Sequence, residues 1–234
     1  MRVKICGITR PEDALNAAEA GADAIGLNFV AGPRRIDVAT AARILDALPP
    51  FATPVALVRL DVSERMLPEV AELLASRRVA HVQLYGSVTG QAVARLGEEG
   101  FSKLLLVTRV QDRDFAASVR ATLSACGDRR PAAIVLDAYD PHRLGGTGQA
   151  FCWPWVTQAR EAGELDGWPP VLLAGGLNPD NVAQAVSQAR PWGVDVSSGV
   201  ESAEGHKDME KMIRFVETAR AAARMTRSLP TREG

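Results

Sequence analysis

Eight short runs rich in valine, isoleucine and leucine recur along the chain, and the segments between them carry apolar residues at helical spacing. The runs are Val3–Ile8, Ala24–Val30, Pro54–Leu60, His81–Gly86, Lys103–Val110, Ala132–Tyr139, Pro170–Leu177 and Trp192–Val200. Most are almost continuously apolar, the pattern of strands covered on both faces in a parallel sheet. Helical spacing is clearest in Ala14, Leu15 and Ala18, in Ala41, Ile44, Leu45 and Leu48, in Met66, Val70, Leu73 and Leu74, and in Val182, Ala185, Val186 and Ala189. Eight alternating units over residues 3–224 fit an α/β chain folded as a single (β/α)8 TIM barrel, with a doubly wound open sheet as the competitor. Length alone leaves the matter open. The 234 residues amount to about 1.6 average domains, whereas one barrel typically takes about 250. The expected division is a barrel over residues 1–224 and a loose polar tail over 225–234.

Local signals mark element ends. Thr9-Arg10-Pro11-Glu12 has capping-box spacing, with Thr9 as N-cap. Asn178-Pro179 reads as an N-cap followed by proline at the first helical position. Ala20-Gly21-Ala22-Asp23 and Glu99-Gly100 read as helix stops.

Composition narrows the function classes. Lys+Arg 27 against Asp+Glu 28 gives a net charge of -1, and aromatics make up 5%, so neither a polyanion-binding face nor a nucleic-acid stacking surface is expected. No apolar run approaches the ~20 residues of a membrane span. The first apolar run already contains Lys4, unlike a secretory signal, so the expectation is a cytoplasmic protein with no membrane partner. Cys6, Cys126 and Cys152 are too few and too scattered for a disulfide framework or a metal site.

In a barrel the chemistry sits where the strands end at their C-terminal rim. Period-two alternation puts Lys4 and Cys6 on one face of the first run and Gln83 and Tyr85 on one face of the fourth. Asp137 stands where the sixth run stops. Gly175-Gly176 and Asp195-Val196-Ser197-Ser198-Gly199 end the seventh and eighth. Taken singly, each has a plain structural reading: a buried cysteine, a capping aspartate, tight turns, solvated arginines. Together they describe a phosphate cradle after strands seven and eight, with a cysteine and an aspartate across the mouth as a base and acid pair. Lys4, one pleat below Cys6, would favour its thiolate. Gly145-Gly146-Thr147-Gly148 is read as a flap over the ligand.

These residues resemble phosphoribosylanthranilate isomerase. The resemblance is carried by Lys4-Ile5-Cys6-Gly7-Ile8-Thr9, Val82-Gln83-Leu84, Leu136-Asp137 with Gly145-Gly146-Thr147-Gly148, Leu173-Ala174-Gly175-Gly176-Leu177-Asn178-Pro179, and Val194 through Glu201. It implies a cofactor-free barrel enzyme of tryptophan biosynthesis, monomeric or homodimeric, acting on a small phosphosugar. The reaction would be the Amadori rearrangement of N-(5-phosphoribosyl)anthranilate to 1-(2-carboxyphenylamino)-1-deoxyribulose 5-phosphate. By resemblance Cys6 is the general base and Asp137 the general acid. Arg34, in Gly32-Pro33-Arg34, would meet the anthranilate carboxylate, and Gln83, Gly146, Gly175, Gly176, Asp195, Ser197, Ser198 and Gly199 would complete the substrate site. The chain departs from the family pattern at Tyr85, usually His, at Cys152, usually Asp, and at Gly32, usually Ser. The competing functions are a histidine-pathway or dual-substrate phosphoribosyl isomerase, which relies on aspartate where Cys6 stands, and a non-catalytic phosphate-ligand-binding barrel.

Overall fold

The apolar runs become eight parallel strands that close on themselves in chain order, the eighth pairing with the first, in a computed structural model that describes residues 1–60, 65–77, 79–86, 88–138 and 151–228. The units are β1 (Arg2–Ile5) and α1 (Pro11–Glu19), β2 (Ala24–Asn28) and α2 (Val38–Ala47), β3 (Thr53–Arg59) and α3 (Pro68–Ser76), β4 (His81–Tyr85) and α4 (Gly90–Glu98). They continue with β5 (Lys103–Val110) and α5 (Phe115–Ala125), β6 (Ala133–Ala138) and α6 (Pro154–Glu161), β7 (Val171–Leu173) and α7 (Val182–Ala189), and β8 (Gly193–Val196). A 3-10 turn (Ser198–Val200) and a hairpin of β9 (Glu201–Ala203) and β10 (His206–Lys207) then precede the closing helix α8 (Met209–Ser228). Closure excludes the open sheet.

The two parities of each strand go to different places. Val3, Ile5, Ile25, Leu27, Val82, Leu84, Ile134, Leu136, Val194 and Val196 face outward into the layer shared with the helices. Val55, Leu105, Ala133, Val135, Leu172 and Ala174 form a separate cluster inside the barrel. Among these aliphatic residues stand buried polar ones, Lys4, Gln83, Asp137 and Asp195. Both faces of each strand are thus covered, which is why the runs carry no polar alternation.

Several local expectations are corrected. The strands stop short of the apolar runs, β1 at Ile5, β7 at Leu173 and β8 at Val196, because the remaining residues turn over the barrel mouth. Thr9 does not cap α1, whose N-cap is Arg10 without a side-chain bond; its hydroxyl instead donates to the Gly205 carbonyl at 2.5 Å. Asn178 caps a turn, accepting from Asp180 and Asn181 N–H groups, and α7 begins only after Asn181. On α1 the buried face is Asp13, Ala14 and Ala17, leaving Leu15 exposed. The hairpin has no counterpart in the sequence reading. α8 runs to Ser228, into the 225–234 segment expected to be a tail; residues 229–234 lie outside the described residues. Among the described residues no helix is long and apolar enough to cross a membrane.

The barrel closes along β1 and β8, in register Lys4↔Asp195. The Lys4 ammonium donates to both Asp195 carboxylate oxygens, at 3.0 and 2.9 Å, and both side chains are buried. Removing one partner leaves a buried charge unpaired, so Asp195→Ala is expected to cost about 3–5 kcal/mol. Lys4→Met combined with Asp195→Leu should recover much of that loss, as measured by urea unfolding.

Candidate active site

Cys6, one residue beyond β1, is set by its N–H donating to Val196 O at 2.7 Å, so the β1–β8 pairing runs one residue further. Its Sγ lies over Gly26 of β2, where a Cβ would come within 2.6 Å of the sulfur. Gly26 therefore makes the room in which Cys6 sits, a role that an isolated glycine inside a strand signals in sequence but that was not singled out there. Gly7 follows with φ +70, and the Arg34 stem packs so closely on it that a Cβ would meet Arg34 Cδ at 2.6 Å.

One cavity at the C-terminal ends of the strands is lined by Cys6, Asn28, Arg34, Tyr85, Asp137, Gly175, Gly176, Asp195, Ser197 and Ser198, among others. The structure thus brings together most residues expected there. Three of the expected residues have further partners or packing roles. Gln83 is fully buried and is not among the lining residues; its amide donates to the Tyr85 hydroxyl at 3.4 Å, so it supports the ring that faces the cavity. Gly199 does not line the cavity either. A Cβ there would lie 1.9 Å from Leu177 O, so its lack of a side chain lets the loops after β7 and β8 pack together. Asp195 reaches the cavity with both oxygens already taken by Lys4. Gly146, with the rest of the expected flap, lies outside the described residues.

Burial raises both ionisable groups that face each other across the cavity, Asp137 and Cys6. Burial pushes the Asp137 carboxyl up to about 6, the Asp195 charge adds to this, and Arg109 opposes it. Desolvation penalises the carboxylate and leaves a group able to donate a proton near neutral pH. Burial also raises the Cys6 thiol, against the pull of the Lys4 ammonium. Burial works against that ammonium in turn, but Asp195 and Cys6 together more than offset it and hold Lys4 above the ordinary lysine value. Tyr85, its hydroxyl driven well above the usual value by burial, stays protonated and offers a donor where the family usually has an imidazole. Cys126 is a core residue, its thiol donating to Thr122 O at 3.2 Å, and Cys152 is exposed.

Arg34 rather than exposed Arg35 turns to the site, and there it meets a partner that the sequence did not announce. Its Nε and Nη2 donate to the two oxygens of Glu201 at 2.7 and 2.6 Å. Lys207 Nζ donates to Glu201 Oε1 at 2.8 Å and to Ser197 O at 3.1 Å. Burial lowers Lys207 below the ordinary lysine value while Glu201 opposes that shift. In sequence, only the position of Lys207 just ahead of the last helix distinguishes it from a surface lysine.

A family model described as N-(5'phosphoribosyl)anthranilate (PRA) isomerase matches residues 3–218. The N-(5'-phosphoribosyl)anthranilate isomerase of Trichlorobacter lovleyi is 42% identical over 224 residues, covering 95% of this chain and 99% of that protein. The crystal structure of phosphoribosyl anthranilate isomerase from Thermotoga maritima superposes with a TM-score of 0.78 at 30% identity, covering 94% of this chain and 99% of that one. A crystal structure of a phosphoribosyl anthranilate isomerase in complex with reduced 1-(o-carboxyphenylamino)-1-deoxyribulose 5-phosphate gives 0.75 at 30% identity, covering 94% and 99%. With the model spanning nearly the whole barrel, the chain belongs to the N-(5'-phosphoribosyl)anthranilate isomerase family.

Proposed function

We propose that this chain isomerises N-(5-phosphoribosyl)anthranilate to 1-(2-carboxyphenylamino)-1-deoxyribulose 5-phosphate, a step of tryptophan biosynthesis. The observation that carries this reading, beside the family, is that Cys6 and Asp137 open on one cavity with the carboxyl held at about 6. The alternative readings have no comparable support. The histidine-pathway chemistry wants a carboxylate where Cys6 stands, and a binding protein needs no proton donor at the end of β6.

The rearrangement needs two proton movements. Asp137, protonated, gives its proton to the furanose oxygen as the ring C–O bond breaks, and the anilino nitrogen lone pair moves to form the C=N bond. Cys6, as thiolate, then takes the proton from C2 of the sugar. The C–H pair becomes the C=C bond of the enolamine and the C=N pair returns to nitrogen, after which the enol tautomerises to the ketone. The loops at Gly175-Gly176 and Ser197-Ser198 would hold the phosphate, and Arg34 the anthranilate carboxylate. The working state has Asp137 protonated and Cys6 ionised, the reverse of their order of titration, so it is a minor member of the population at every pH. Below about pH 6 the rate rises with thiolate; from there to the Cys6 titration the gain in thiolate and the loss of acid cancel; above it the rate falls.

Three outcomes follow. Consumption of phosphoribosylanthranilate, read as a fall in its fluorescence, should be reduced by roughly 10²–10⁴-fold in Cys6→Ala and in Asp137→Asn, the usual scale of general acid–base assistance; full activity in either removes that residue's role. The parent kcat/KM profile should show its acidic limb near pH 6 and a plateau above it. Because the folded pKa of Asp137 lies above its unfolded value, its proton favours the folded state, and that contribution is lost as pH rises through about 6. Asp137→Asn escapes the loss and should be more stable than the parent at pH 7–8, by up to about 3 kcal/mol in chemical denaturation.

A further inference from the structure

Behind Arg34 lies a buried charge cluster that neither gives nor takes a proton in the proposed rearrangement, although the Lys207 charge opposes the rise of the Cys6 thiol. Arg34, Glu201 and Lys207 have side chains only 12%, 5% and 0% exposed. Glu201 occupies two N–H groups of the guanidinium, so three of its five donors are left for a ligand. Paired with Arg34 alone, Glu201 would cancel its charge. Lys207 on the other side of the same carboxylate restores the balance to one positive charge over the three residues. Glu204 also acts on Arg34, but from the exposed hairpin turn, where solvent screens it.

The position of Lys207 is over-determined. Its backbone N–H donates to Asp13 of α1 at 3.2 Å, Thr9 holds the Gly205 carbonyl, and Arg10 neutralises Asp13 through two bonds at 3.0 and 2.7 Å. The hairpin is therefore pinned to the first turn of α1 with Lys207 directed inward. With no exposed side-chain surface, Lys207 touches no ligand itself: its contacts reach the cavity through Glu201 and Arg34, and its charge also acts on Cys6 and Asp195.

We infer that Lys207 is a specificity-determining positioning residue: by neutralising Glu201 it leaves the charge of Arg34 uncompensated, and this excess charge selects an aglycone bearing a carboxylate. The inference rests on the proposed assignment of Arg34 to that carboxylate. It also explains the placement of Glu201, which orients the guanidinium at the cost of its charge unless a second cation is present.

The test is calorimetric binding of two ligands, reduced 1-(o-carboxyphenylamino)-1-deoxyribulose 5-phosphate and the same compound without its carboxyl group. In Lys207→Met the carboxylated ligand should bind about tenfold more weakly, the scale of one charge acting at partly buried range, while the carboxyl-free ligand changes by less than about twofold. Arg34→Met should show the same selectivity, and Lys207→Arg should keep the parent preference. If Arg34→Met weakens both ligands equally, the assignment of Arg34 fails and the inference with it. If Arg34→Met is selective but Lys207→Met weakens both ligands alike, or neither, the inference alone is overturned. Should Lys207→Met not fold, Lys207→Gln, which keeps a donor for Glu201 and no charge, answers the same question.

Discussion

A lysine and an aspartate that face each other across the closing seam of the barrel hold the architecture and the chemistry together. Lys4 and Asp195 sit at one register on β1 and β8, the pair of strands whose meeting turns a sheet into a barrel. Each charge is tolerable there only because the other is within hydrogen-bond reach. The same pair acts on both proposed reacting groups, with the Lys4 charge opposing the rise of the Cys6 thiol and the Asp195 charge adding to the rise of Asp137. Each partner also works against the other, Asp195 raising the Cys6 thiol and Lys4 lowering the Asp137 carboxyl. The larger effects are those of Lys4 on Cys6 and of Asp195 on Asp137, and burial still leaves the thiol above its ordinary value.

The arrangement has a thermodynamic cost. A carboxyl whose folded pKa lies near 6 destabilises the folded state at neutral pH. The outward-facing strand residues and the helices they meet offset that cost, since Ile5, Ile25, Ile134, Leu173 and Val194 are each at most 1% exposed and full burial of such side chains contributes about 1.5–3 kcal/mol apiece. The rim can therefore carry strained protonation states because the layer behind it carries none.

What was readable in advance depended on how local its cause is. Near-continuous apolar runs report strands buried on both faces whatever their partners, so the eight units and the parallel sheet were legible, whereas an open sheet was excluded only by β8 pairing with β1. Strand ends were not, because the apolar run through Val196 into Val200 continues after the ladder stops; Val200 is buried by the turn over the mouth rather than by the sheet. Thr9 misled for a related reason. A capping box is a local competition for a helix N-terminus, and a carbonyl arriving from Gly205, far along the chain, won it. Gln83 and Gly199 were placed at the substrate by resemblance; the folded chain adds what the sequence did not show, that Gln83 donates to Tyr85 and that Gly199 lets the loops after β7 and β8 approach at Leu177 O.

By itself the sequence determined the number of units, the parallel sheet and the rim on which chemistry gathers, while the base and acid roles proposed for Cys6 and Asp137 came from resemblance. The first three follow from periodicity and from residue types at strand ends, which neighbours in the chain settle. The tertiary structure alone decided that Lys4 answers Asp195, that Gly26 makes room for the Cys6 sulfur, and that Glu201 stands between Arg34 and Lys207. Each of these joins residues brought together only when β8 closes on β1 and the last hairpin folds back onto α1. The field at a buried site depends on such distances rather than on order along the chain.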